Sequence, residues 1–364
     1  MKDEKYDNTK NLMSVALVAV LFLTINDVRG LGSKSKTSEA KFNTLGFLGL
    51  AAGAVATMLV IGNLWKKHYL NANISDGRKE FFERLEDQLS KDKGVDGEFS
   101  GFDCISKYWI DAQKNSSSSE EAESDECMAE SCRVLASKIL SKYSNRHVIN
   151  ISDSEEKHFK ECAQYYEYAS EKYKKRNKYS TDMAKSYETK AKSLETMIIL
   201  NSVYGNSLEN ENLMIELENC WVECGKSKVS YDLYSKARLA RFLAVHQIFS
   251  STKNTLLEEK LWQDASDSWK KLKNDKKLIT SFGGQNGPYW IAFLAYIDAN
   301  VEECLFKAGK STKEEVSSKW HKTAERDYDI VEIQKRKGIA DYHFMALAAE
   351  AYCRSKIDCP YTLI

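Results

Sequence analysis

Proline is nearly absent: Pro288 and Pro360 are the only two in 364 residues, and glycine contributes 17. Proline removes a backbone donor and glycine frees the backbone, so their scarcity disfavours a many-turned β architecture and favours long helices. Net charge is lacking as well. The 53 basic and 53 acidic side chains cancel, and with seven basic and five acidic residues ahead of residue 66, the remainder carries 46 against 48. That balance excludes a dedicated nucleic-acid binder. The short run Lys174-Lys175-Arg176 fits a solvated helix end.

Recognisable catalytic signatures are missing too. There is no Gly-x-x-x-x-Gly-Lys-Ser phosphate loop and no Gly-x-Gly-x-x-Gly after a strand. The histidines, His68, His147, His158, His246, His321 and His343, adjoin no nucleophile-and-base arrangement. Cys220 and Cys224 lie one helical turn apart, with His246 as a third candidate ligand, but zinc takes four in a tetrahedral set, and two buried thiols account for the pair. No catalytic residue, cofactor or metal is expected, and the chain reads as non-enzymatic. Acid pairs such as Glu302-Glu303 and Glu314-Glu315 look like solvated helix faces.

Cysteine does not occur before Cys104. The nine that follow are odd in number, so one at least stays unpaired in a monomer. Several fall at apolar helical positions, which favours buried reduced thiols. The alternative is an oxidising lumen, with Cys127–Cys132 and Cys353–Cys359 closing short loops; the sequons at Asn73, Asn115 and Asn150 are compatible with it.

What is present begins with residues 45 to 65, an uncharged run rich in Leu, Val, Ala and Gly that stops at Lys66-Lys67-His68. A helix of that length reaches roughly 30 Å, the hydrocarbon thickness of a bilayer. The run is therefore expected to be a transmembrane helix. Gly49 and Gly53 form a Gly-x-x-x-Gly that would let a second helix approach closely, making a homo-oligomer through the membrane segment possible. Within the N-terminal segment 1–44, the shorter apolar run 12–25 has the length of a signal-peptide core or of part of a first membrane helix. Basic residues flank residues 45–65 almost equally on both sides, so charge does not orient the segment. The expected location is a membrane, crossed once or twice near the N-terminus.

Residues 66–113 read as a helical connector containing a helix from Asp76 to about Leu89, with Phe81, Phe82, Leu85 and Leu89 at helical spacing. The Ser-rich acidic tract 114–127 has no large apolar residue until its end and is expected to be a mobile loop. Residues 128–364 then read as an α-helical domain. Small residues and aromatics share helix faces: Ala163, Tyr166, Ala169 and Tyr173; Ala184, Tyr187, Ala191 and Leu194; Trp262, Ala265 and Trp269; Trp320, Ala324 and Tyr328. Such faces suit helix against helix. Thr255 with Glu258 and Thr312 with Glu315 match capping boxes, placing helix starts near 256 and 313. The Gly-rich stretch 281–288 marks a turn before an apolar helix from Tyr289 to Leu305, and a last helix is expected over Ile339–Cys353.

These faces resemble tetratricopeptide-type helical repeats, in which antiparallel helix pairs stack into a solenoid; the helices here are longer and the closing proline is absent. The resemblance implies an all-α, solenoid-like domain that binds a protein or peptide between stacked helices. With the anchor, it resembles organellar import receptors in architecture. The expected function is a membrane-anchored scaffold or adaptor of the receptor or complex-assembly type. Two other readings stay open: a secreted or surface-exposed helical protein with a cleaved signal, and an all-helical enzyme whose site assembles only in space.

Overall fold

The computed structural model describes residues 76–90, 101–116, 120–142, 151–177, 181–205, 209–249 and 255–356, all within the compact unit Asn73–Ile364. The runs 12–25 and 45–65, with Gly49 and Gly53, lie outside the described residues, as does Cys359. No described helix is long and apolar enough to cross a membrane.

Every regular element among the described residues is helical. In chain order they are α1 (76–90), α2 (Gly101–Lys114), α3 (Glu121–Lys142), α4 (Asp153–Arg176), α5 (Asp182–Val203) and α6 (Asn210–Ser227). After a 3-10 turn at Val229–Tyr231 come α7 (Asp232–Phe249), α8 (Thr255–Leu272), the short α9 (Lys276–Ser281), α10 (Pro288–Lys307), α11 (Lys313–Lys335) and α12 (Tyr342–Lys356).

The boundaries follow from local chemistry. At α11, Thr312 Oγ1 accepts from the Glu315 backbone N–H at 3.3 Å, and the Glu315 carboxylate accepts from the Thr312 N–H at 3.1 Å. This reciprocal cap satisfies two donors that the helix leaves orphaned. Before α10, Gly283 and Gly284 take left-handed φ values of 87° and 89°, and a side chain at Gly287 would put its Cβ 2.6 Å from the Phe282 carbonyl oxygen. The glycines of this turn are thus required by geometry. The last helix starts at Tyr342 rather than Ile339, because Asp341 Oδ1 accepts from the Phe344 N–H at 3.1 Å and Gly338 ends the preceding turn at φ 77°.

The acidic tract is not a loop throughout. From Glu121 it is helical and forms the first turns of α3, with Ala122 and Cys127 buried. Its acids find cations on α4: Asp125 pairs with Lys172 at 2.8 Å and Glu123 with Arg176 at 2.9 Å. Composition alone underrated the tract because those partners lie some fifty residues further on. Nor does 114–127 divide the molecule: α1 and α2 share one hydrophobic cluster with α11 and α12.

From α2 to α8 each helix packs on its neighbours in sequence. Helix α8 then packs on α10, α10 on α11 and α11 on α12, and α12 returns to α2. The sequence of contacts closes into a ring. Alternate helices α3, α5, α7, α10 and α12 turn side chains toward its centre; α5 is the most enclosed of them. The Ala and aromatic faces expected on α4, α8 and α11 are buried between neighbours. Helix α1 covers the seam beside the closure: Phe81 stacks on Tyr328 of α11 at 4.6 Å, and Phe82 on Tyr352 of α12 at 4.8 Å. Two stacked pairs of this kind add about 1–3 kcal/mol beyond their buried area.

Candidate functional site: a charged cavity at the centre of the ring

The ring closes through a carboxylate. Glu350 of α12 accepts from Trp109 Nε1 of α2 at 3.0 Å, from Arg133 of α3 at 2.7 and 2.8 Å, and from Arg354 at 2.7 Å. The first hairpin and the last helix therefore meet at one buried side chain. Although burial opposes ionisation, the Arg133 and Arg354 guanidinium groups hold Glu350 below the usual carboxylate range.

Polar side chains, nearly all of them charged, recur at helical steps along the inner faces: Glu126, Glu130 and Arg133 on α3; Lys185, Glu188, Lys192 and Glu195 on α5; the neutral Tyr234 with Arg238 and Arg241 on α7. Positions three, four and seven apart lie on one helix face, so each stripe points one way. Lys192 Nζ reaches Glu130 at 3.0 Å, Glu126 at 3.5 Å and Glu188 at 3.7 Å, while Lys185 lies 3.2 Å from Glu126 and 3.4 Å from Glu188. Burial would raise Glu126, yet Lys185 and Lys192 bring it down to about 2. Glu130, similarly buried, is held well below its ordinary value by Lys192 and Arg133. Arg241 pairs with Glu303 of α10 at 3.0 Å, and Glu303 also accepts from Trp320 Nε1 at 3.1 Å.

Between these stripes lies a cavity of about 260 Å³. One wall carries the ion network of α3, α5 and α12. The other is aromatic: Phe282 stacks on Phe293 at 4.8 Å, Phe293 on Tyr296 at 6.0 Å, and Tyr296 meets Trp320 edge-on at 6.0 Å. A second hollow, of about 530 Å³, shares Glu126, Lys185 and His343 with it and is lined by the starts of α3, α5 and α12. The cavity thus has an adjoining vestibule at that end of the ring. Burial keeps the His343 imidazole below its ordinary value, so it is neutral near pH 7.

Two further ionisable side chains line the cavity. Arg238 is 6% exposed and its Nη2 is buried without a hydrogen-bond partner. Its nearest carboxylate, Glu195, is 3.8 Å away, and its guanidinium carbon lies 5.6 Å from the Trp221 ring. Glu195 is itself raised to about 7 by burial, which Arg238 offsets only in part, and it accepts from Trp221 Nε1 at 2.9 Å. Asp327 of α11, 7% exposed, is pushed well above the usual carboxylate range by burial and by the Glu350 charge.

Cys220 and Cys224 are buried on α6, and His246 on α7 stacks with Phe242. No set of three or more ligating side chains gathers among the described residues. The eight described cysteines are buried free thiols. Cys127 and Cys132 point from α3 into different clusters. Glu303, expected on a solvated face, is buried and paired with Arg241. The stripes on α3, α5 and α7 match no motif; in α5, Lys185, Glu188, Lys192 and Glu195 alternate in sign along a helix that also carries Asp182 and Lys190.

No protein-family model matches the sequence, and comparison with curated proteins and with solved structures finds no significant match.

Proposed function

We propose that this chain is a membrane-tethered helical receptor whose ring of paired helices binds a small ligand at its centre. The observation that carries the reading is the convergence of charged stripes from several inner helices on one cavity with an aromatic wall. Buried ion pairs are weak stabilisers; apolar residues of like volume would hold such a ring at least as well. Apolar walls with a few placed polar groups are what small-molecule sites need. Because the contacts close between α12 and α2, the central space is a cavity of about 260 Å³, a size that suits a small molecule. A protein partner would engage the outer helices, and the run 45–65 would supply the tether.

Native mass spectrometry of the full chain tests the ligand reading. A small molecule retained at unit stoichiometry and released on unfolding supports it; a spectrum unchanged after exposure to a metabolite extract, with no thermal shift, contradicts it. Alkaline carbonate extraction tests the tether, since loss of residues 1–65 should release the protein from the membrane pellet.

A second reading, an enzyme, is favoured by one observation: Asp327, raised by burial, shares the cavity with Glu350, which its arginines hold low. Carboxyl groups driven apart in protonation serve acid–base chemistry. Under that reading Asp327→Asn would leave a bound molecule intact that the wild type converts.

A further inference from the structure

The ion network balances itself. Lys185, Lys192, Arg133, Arg354 and Arg241 stand against Glu126, Glu130, Glu188, Glu350 and Glu303, all within ion-pair distance of a partner. Arg238 has the loosest pairing of the set, a single contact with Glu195 at 3.8 Å. It makes no hydrogen bond to any described residue, its Nη2 is buried, and Glu195 at 3.8 Å is too far for one. A buried, always-charged guanidinium without hydrogen bonds is costly unless something else supplies acceptors.

Asp327 is the second unengaged group, with neither a hydrogen bond nor an ion pair from its carboxyl to a described residue. Both groups line the same cavity, and the guanidinium asks for an acceptor. The aromatic wall of Phe293, Tyr296, Trp320 and Phe344 offers ring surface to a flat apolar body.

We infer that the cavity takes an organic anion, a carboxylate or phosphomonoester on a flat apolar body, with its oxyanion on the Arg238 fork and its body against the aromatic wall. This rests on the cavity being a ligand site. A guanidinium matches both oxyanions by paired N–H···O bonds. A cationic ligand is disfavoured because every ionised carboxylate lining the cavity already faces a lysine or arginine.

The test titrates the full chain with four probes that share a phenyl group: 3-phenylpropionate, phenyl phosphate, 3-phenylpropanamide and 3-phenylpropylamine. Binding is read from the fluorescence of the lining residues Trp109 and Trp320 and from thermal shift. At least one anionic probe should bind, which of the two naming the head group, with the amide about tenfold or more weaker and the amine silent. Arg238→Met should weaken the anion by about 10- to 100-fold, as expected for lost charge-assisted hydrogen bonds, and Arg238→Lys by less. Circular dichroism confirms that each variant folds, and a variant that does not is replaced by Arg238→Gln. Equal binding of amide and acid, preference for the amine, or unchanged anion affinity in Arg238→Met overturns the anion inference while leaving a ligand cavity standing. Failure of all four probes overturns the cavity reading with it.

Discussion

Glu350 and Glu195 show how much a buried carboxylate depends on its neighbours. Glu350 accepts from three donors on two other parts of the ring and on its own helix, so Glu350→Gln leaves Arg133 and Arg354 short of a counter-charge. Breaking a buried pair in this way costs roughly 3–5 kcal/mol, to be read from urea unfolding. A loss under 1 kcal/mol, within the range of a surface change, would show that the closure does not hold the fold. Glu195 behaves oppositely. Its folded value of about 7 lies above the ordinary 4.5, so the folded protein keeps a proton that the unfolded chain has released. Stability from this group is therefore complete below pH 4.5 and falls as pH rises toward 7. Glu195→Gln should be close to wild type at pH 5 and gain on it at pH 8. Asp327 titrates in the same sense but is common to both proteins and cancels in the difference. A wild-type advantage that grows with pH would contradict the assignment.

At the scale of the helix, local chemistry was legible and partnership was not. Thr312 with Glu315, the glycines at 283, 284 and 287, and the Ala and aromatic faces of α4, α8 and α11 declare themselves through neighbours a few residues away. Thr312→Ala should cost about 1 kcal/mol, seen as a small fall in Tm without change in helicity; no fall would mean that the cap is replaced by water. The inner stripes carry no signal of their own, because charges of alternating sign at three- and four-residue steps serve solvated and buried faces alike. What distinguishes them is a partner far along the chain: Lys192 meets Glu130 across 62 residues, and Arg133 meets Glu350 across 217. Sequence spacing cannot report such a distance, and the helical start of the acidic tract was missed for the same reason.

For the molecule as a whole, the closing contact between α12 and α2 decides how stability is shared. An open stack of repeats loses stability locally when its last unit is removed, since each unit touches only its neighbours. In a closed ring the first helices also lose their cover. A chain ending at Gly338, and so lacking α12, should lose amide protection in α2 and α3 as well as in α11, because Trp109 loses its acceptor, Arg133 keeps only Glu130 of its two carboxylates and Phe82 loses its stack on Tyr352. Protection retained in α2 and α3 would mean that the two ends are independent. The buried thiols give a second view: the eight described cysteines should react slowly with a thiol reagent until the ring unfolds.

The central claim, that the charged interior is kept for a ligand, is tested most directly by comparing two arginines of equal burial. Arg133 is 4% exposed and engaged by Glu130 and Glu350; Arg238 is 6% exposed and engaged by no hydrogen bond. Unfolding free energies of Arg133→Met and Arg238→Met, measured without ligand, should differ: a loss of roughly 3–5 kcal/mol for the first, and about 1 kcal/mol for the second, whose single ion pair, with Glu195 at 3.8 Å, carries no hydrogen bond. Equal losses for the two variants would place Arg238 in the framework of the fold and contradict the account.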